Sequence, residues 1–184
     1  MLWHRLSELP TVTIAKLRGR VRGAGSELAL ACDMRFAARE NTVIGQPEVG
    51  FGVPPGAGGV QHLERLLGRG RAMEVILGAA DFDADTAERY GWINRALPDA
   101  ELDAFVARLA RRIASFPTDA VRSTKQVLNE LTMPGADAIR ADARPFQQLV
   151  RSEAVQTRMA TLFEQGLQTR GPLERDLGDR LERL

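Results

Sequence analysis

The loop Gly23-Ala24-Gly25 runs directly into Ser26-Glu27 and the apolar stretch Leu28-Ala29-Leu30-Ala31-Cys32. A glycine-rich turn entering a helix leaves backbone N–H groups unpaired at the positive end of the helix dipole. Donors placed this way suit an oxygen that gains negative charge during a reaction, although small residues before a helix also serve simply to make a tight turn. Glu27 falls in the first turn of this helix, and Glu48 follows Pro47 further along. Taken singly, Glu27 reads better as a solvated carboxylate complementing the dipole, and Glu48 as an exposed loop acid. From Gly50 to Gly59 the chain then holds five glycines and two prolines in ten residues, which predicts a fixed loop or a cradle.

The elements that must position these residues are legible in the patterning. Val12-Thr13-Ile14-Ala15, behind Pro10 and stopped near Gly19, predicts a strand, and Arg20 to Gly25 reads as loop. Ser26 is the expected cap of the buried helix that follows. Met34 to Ala37 and Thr42 to Gly45 read as strands about a polar turn, and Pro47 ends the second. Beyond the glycine-rich segment, Val60 to Leu67 and Arg71 to Leu77 read as amphipathic helices. Asp83 or Asp85 is positioned to cap a short helix ending at Tyr90-Gly91, and Trp92 to Ala96 reads as a strand. From Asp99 onward the spacing is helical, over 101–115, 119–132 and 136–165, with breaks at Pro117 and Pro134-Gly135 and a charged last segment after Pro172.

Composition narrows the class of function. The chain has 184 residues, 44% hydrophobic and 27% charged, which fits one ordinary globular domain. Its 25 basic and 24 acidic residues leave a charge of +1, so no strong field for nucleic acid or an anionic membrane is expected. Arg18, Arg20 and Arg22 are read mainly as surface residues. Cys32 is the single cysteine, read as a buried structural thiol, so no internal disulfide forms. No apolar stretch reaches the roughly 18 residues of a membrane span, and the first residues lack a signal-peptide core. A cytoplasmic location is the expectation. No metal-ligand cluster or phosphate-binding loop motif is present, His62 reads as a packing or surface residue, and Asp33 as a support for the fold.

The ordered set Leu9-Pro10-Thr11-Val12-Thr13-Ile14-Ala15, Gly23-Ala24-Gly25-Ser26-Glu27-Leu28-Ala29-Leu30-Ala31-Cys32-Asp33, Gly45-Gln46-Pro47-Glu48-Val49-Gly50 and Pro55-Gly56-Ala57-Gly58-Gly59 resembles the crotonase superfamily, in its enoyl-CoA hydratase/isomerase branch. The resemblance runs from about Leu9 to about Asn129 and more loosely through the C-terminal helices. It implies an α/β fold, the crotonase-type β-β-α spiral, here partial and lacking N-terminal units, with a C-terminal helical region. The expected division is 1–98 for the spiral with the active-site loops and 99–184 for a helical trimerisation region.

The resemblance also implies roles. One oxyanion-hole N–H falls at Ala24, the two hydratase acids at Glu27 and Glu48, and substrate-binding positions at Gly23, Gly25, Pro55, Gly56 and Gly58. The implied activity is hydration of a 2-enoyl-CoA thioester, with Glu27 as base on water and Glu48 as proton donor to carbon. The alternatives are a Δ3,Δ2-enoyl-CoA isomerase or a non-catalytic module of the same fold. Coenzyme A belongs to the substrate, no separate cofactor or metal is implied, and the expected assembly is a homotrimer or hexamer. The family's opening strand and helix units, which hold the second oxyanion donor and much of the coenzyme pocket, are not found in this sequence.

Overall fold

The computed structural model describes residues 2–183. Met1 and Leu184, the outer limits of the two expected regions, lie outside the described residues. After a short helix α1 (Leu2–Ser7), strand β1 (Ile14–Leu17) turns at Gly19, whose φ of +67° favours glycine, into β2 (Arg20–Arg22). Helix α2 (Ala24–Ala31) follows, and the chain then repeats the pattern with β3 (Met34–Ala38), β4 (Val43–Gly45) and α3 (Glu48–Phe51). β3 lies parallel to β1 and β4 parallel to β2, so two β-β-α units stack as successive turns of a spiral. Helices α4 (Gly59–Leu67) and α5 (Arg69–Gly78) lead to β5 (Asp81–Asp83), α6 (Ala84–Tyr90) and β6 (Arg95–Leu97). β5 completes one three-stranded sheet antiparallel to β4, and β6 the other, parallel to β3.

The remaining helices are α7 (Asp99–Ala114), α8 (Thr118–Thr132), α9 (Ala136–Leu149) and α10 (Glu153–Glu164). The short α11 (Pro172–Arg175), α12 (Leu177–Arg180) and a 3-10 turn (Leu181–Arg183) close the described chain. Ile44, Leu63, Val75 and Trp92 are fully buried at the centre of the main core, and each large apolar side chain sealed there is worth about 1.5–3 kcal/mol. α7 packs Leu102 and Val106 on Phe36 and Ala38, while Leu162, Leu167, Leu173, Leu177 and Leu181 gather around Ala79.

Several sequence expectations are corrected. Arg20–Arg22 is strand β2 rather than loop, a run too short to show alternation yet fully paired with β4. β1 starts two residues later than expected, and the strand expected over Trp92 to Ala96 begins at Arg95, with Trp92 buried in the preceding turn. Ser26 does not cap α2, because Gly23 occupies the cap position and Ser26 lies inside the helix, fully buried. The segment after Gly50 is not all loop, since α3 extends into it. The apolar run 136–165 is two helices parted near Ser152, whose side chain caps α10. Arg22 is not a surface residue: its guanidinium is buried, with Nε 2.7 Å from Asp81 Oδ1 and Nη1 3.3 Å from Glu174 Oε1, tying the C-terminal segment to the sheet. Cys32 is half-buried rather than sealed in the core. Asp33 does support the fold, accepting hydrogen bonds from Thr13 N–H (2.7 Å) and the buried Lys125 ammonium (2.7 Å).

Candidate active site

The site is built at the carboxyl ends of the adjacent parallel strands β2 and β4, whose register pairs Arg22 with Gly45. β2 delivers Gly23-Ala24 and β4 delivers Gln46-Pro47-Glu48. The Gly23 N–H donates to Gly45 O at 3.1 Å and fixes the two loops together. Gly23 has φ +54° and ψ −123°, a conformation that other residues adopt only under strain, and a Cβ there would stand 3.0 Å from Glu48 Oε1. Glycine is therefore required twice at this position, for its backbone and for the approach of the acid.

Gly23 is the N-cap of α2, and its carbonyl accepts the first helical bond from Glu27 N–H at 2.9 Å. The N–H groups of Ala24, Gly25 and Ser26 thus precede the first helical acceptor and have none within the helix. Ala24 and Gly25 are exposed, and Ala24 lies outside the positive-φ region, so alanine fits where glycine was the alternative. A Cβ at Gly25 would meet nothing within 4 Å, so this face of the helix start is open to a ligand.

Both glutamates are buried, Glu27 at 4% and Glu48 at 8% exposure, which removes the solvated readings. Glu27 Oε1 accepts hydrogen bonds from Ala57 N–H (2.8 Å) and Gly59 N–H (3.0 Å). Glu48 Oε2 accepts one from Gln46 Nε2 (2.9 Å). Burial pushes Glu27 above the ordinary carboxyl range, and its two backbone donors, with a weaker contribution of opposite sign from Asp142, oppose or add to that shift. Burial pushes Glu48 up to about 7, opposed by a backbone N–H and the Gln46 amide and reinforced by the charge of Glu27. Glu48 is thus the group that holds a proton near neutrality, and Glu27, with two N–H donors on one oxygen, the group that gives its proton up more readily.

The glycine cradle shapes the holder of Glu27. Gly58, with φ +107°, caps α4 and turns Gly59 N–H toward the carboxylate. A Cβ on Gly59 would meet Pro55 Cβ at 3.0 Å, Glu27 Oε1 at 3.1 Å and Gln46 Nε2 at 3.2 Å, and one on Gly56 would meet the Phe146 ring at 2.8 Å. The structure therefore brings Gly23, Ala24, Gly25, Glu27 and Glu48 together, and places Pro55, Gly56 and Gly58 behind Glu27. Sequence reasoning singled out neither Gln46 nor the donors Ala57 and Gly59. Gln46 is fully buried, and the only signal for it was a polar residue between a strand-ending glycine and Pro47.

A cavity of about 950 Å³ lies elsewhere, between α8 and the α2–β3–α4 surface, lined by Leu30, Cys32, His62, Leu66, Val121 and Leu128. Neither glutamate lines it, and its apolar walls offer no pair of acids, so the converging carboxyls and helix N–H groups mark the chemistry better than volume does. His62, buried and pushed down to about 4 chiefly by desolvation, faces this cavity as a neutral packing residue. Among the described residues no group of three or more His, Cys, Asp or Glu side chains is arranged to hold a metal ion, and no helix is long and apolar enough to cross a membrane.

Comparison with known proteins agrees with this geometry. Residues 1–169 match the enoyl-CoA hydratase/isomerase family. The chain is 35% identical over 164 residues to the short-chain-enoyl-CoA hydratase of Clostridium acetobutylicum, covering 89% of this chain and 62% of that protein. It is 43% identical over 133 residues to the crotonyl-CoA hydratase of Syntrophomonas wolfei, covering 71% of this chain and 51% of the relative. A solved protein of Streptomyces avermitilis, provisionally assigned as an enoyl-CoA hydratase, superposes with a TM-score of 0.98 at 65% identity over all of this chain and 66% of its own. The chain thus spans between about half and two thirds of the length of these relatives, and a match reaching from its first residue through the acid pair into the C-terminal helices makes it a member of the enoyl-CoA hydratase/isomerase family of the crotonase superfamily.

Proposed function

We propose that this chain carries the acid pair and one oxyanion donor of an enzyme that adds water to a 2-enoyl-CoA thioester. The observation that supports it most is the convergence of two buried carboxyls of unequal proton affinity beside unpaired helix N–H groups. In this reading the thioester carbonyl oxygen accepts a hydrogen bond from Ala24 N–H. Glu27 takes a proton from water as its oxygen bonds to the β-carbon, and the electron pair of the double bond moves to the carbonyl as an enolate. Glu48 then protonates the α-carbon, and the proton held by Glu27 is returned to Glu48 before the next turnover. One oxyanion donor is typically worth roughly 3–4 kcal/mol, and a positioned acid or base about 10²- to 10⁴-fold.

Gly23 and Gly25 flank the donor, Gly23 pressed against Glu48 and Gly25 open on the substrate side, while the Pro55, Gly56 and Gly58 loop bounds the site beneath Glu27. Product analysis with 2-enoyl and 3-enoyl thioesters tests the proposal. Formation of the 3-hydroxy thioester from the 2-enoyl substrate supports hydration, double-bond migration alone identifies an isomerase, and failure to bind any thioester leaves a non-catalytic module.

Assembly through the C-terminal helices, as a trimer or paired trimers, belongs to the same proposal. It is supported by Val127, Leu128 and Leu131 of α8, exposed by 54%, 55% and 76%, and by Phe163 of α10 at 50%. Such a run of apolar surface favours burial against another subunit.

A further inference from the structure

Glu48 is held at two levels. Its Oε2 accepts from the Gln46 amide and its Oε1 lies against Gly23, but its backbone depends on α3, a helix of four residues. One turn of helix does not stand by itself in water, so its place is set by what packs on it. Within the turn, Glu48 O accepts from Val53 N–H at 3.1 Å and Val49 O from Gly52 N–H at 3.0 Å, while the Gly50 carbonyl takes a donor from outside.

That donor is Arg158 of α10, 108 residues further along the chain, with Nε 2.7 Å from Gly50 O. Its Nη2 donates at 3.1 Å to Leu181 O in the closing 3-10 turn. Leu181 is buried and presses on the same glycine, its Cδ1 2.7 Å from the position a Cβ would take on Gly50. Val155 Cγ2 stands 2.9 Å from the corresponding position on Gly52, whose φ is +94°. One guanidinium therefore joins α3, α10 and the C-terminal turn at the glycine just beyond Glu48. The segment leading to that turn is itself fixed to the sheet, because Gly178 N–H donates to Asp81 Oδ2 at 3.3 Å and Glu174 Oε1 is 3.3 Å from the Arg22 guanidinium.

We propose that Arg158 is a positioning residue for Glu48: by clasping Gly50 to the C-terminal turn it fixes the backbone from which the Glu48 carboxyl reaches the site. It does not touch the reacting atoms. A charged donor on a carbonyl is roughly twice as strong as a neutral one, and packing alone at this place needs no guanidinium, whose partial burial costs desolvation. Displacement of a catalytic group by about 1 Å is enough to cost on the order of 10²-fold in rate. The charged segment after Pro172 thereby becomes part of the frame of the site. The titratable group that acts on Glu48 is Glu27 of α2, which is held by another loop through Ala57 and Gly59 and does not share this clasp.

The inference rests on the proposed function only for the work Glu48 does, and it is tested without substrate. Carboxyl resonances of glutamate-labelled protein are titrated by carbon-13 NMR, with Glu48 and Glu27 assigned through Glu48→Gln and Glu27→Gln. Arg158→Met keeps an unbranched stem and removes the donors, so α3 loosens, water reaches Glu48, and its midpoint falls by roughly one pH unit while that of Glu27 stays. An unchanged Glu48 midpoint in the folded variant overturns the proposal, and so does an equal fall of both midpoints, the mark of a general loosening. If Arg158→Met does not fold, Arg158→Gln is the milder change: its amide takes the place of Nε at Gly50 O, and nothing reaches Leu181 O. The Glu48 midpoint then moves the same way by less, and no movement there overturns the proposal equally. Absence of thioester hydration leaves this outcome readable, because the midpoints belong to the free protein.

Discussion

The two-unit spiral around Glu27 and Glu48 and the helices after Asp99 are organised in opposite ways. In the spiral, polar groups are drawn inward: Glu27, Glu48, Gln46, Ser26 and Arg35 are all buried, backbone groups of neighbouring loops engage Glu27 and Arg35, and the Gln46 amide engages Glu48. In the helices, apolar groups are left outward, and α8 buries Lys125 while Val127, Leu128 and Leu131 face solvent. The first arrangement tolerates costly burial of charge in order to shift proton affinities, and the second leaves apolar surface that another surface must cover. A site of this kind is preorganised by its own loops, and the helical region reaches it where α9 meets the cradle and where Val155 and Arg158 of α10 pack on the end of α3, the helix that carries Glu48.

This contrast is broken most severely at Glu27. Under the proposed hydration, Glu27→Gln lowers kcat by about 10²- to 10⁴-fold without loss of fold, as stopped assays and circular dichroism would show. Next is Gly23→Ala, which forces an L-residue to φ +54° and pushes a methyl to 3.0 Å from Glu48 Oε1. We expect about 1–3 kcal/mol of destabilisation in denaturant melts, together with a loss of rate, because Ala24 and Glu48 are both displaced.

The third test is stability against pH. Glu48 binds its proton more tightly when folded, so its contribution is full below the ordinary value of 4.5 and is lost as pH rises through about 7. His62 is the reverse case: its contribution is full above 6.5 and is lost as pH falls through about 4. Thermal melts should therefore peak in the mildly acidic range. Glu48→Gln flattens the alkaline arm, by at most about 3 kcal/mol, and His62→Gln the acid arm. The smallest effect on the site is expected from Leu131→Glu, which alters sedimentation if α8 is a subunit surface and leaves the titration of Glu48 unchanged.

Most of the helices and four strands were legible, because long amphipathic periods and β-branched runs between glycines and prolines are local signals. β2 and β5 were not, since three residues cannot show a period and their pairing with β4 is made by the tertiary fold. The acids were legible only through their order along the chain. Neither Glu27 nor Glu48 carries a local mark of burial, which arises when Ala57, Gly59 and Gln46 close around them. Gly23 was read for its place in a loop, but its need to admit Glu48 is a contact between strand ends and has no counterpart in linear spacing. Ile139 and Phe146 lie far from the motifs in sequence, and only the folding of α9 over Gly56 and Gly58 relates them to the site.

The central claim, that Glu27 and Glu48 act as a base and an acid of unequal proton affinity on one thioester, is tested most directly at Glu48. The amide in Glu48→Gln keeps the shape of the side chain and removes the proton it donates. The account predicts a folded protein whose hydration of a 2-enoyl-CoA thioester is slowed by about 10²-fold or more, and a full hydration rate in that variant would contradict it.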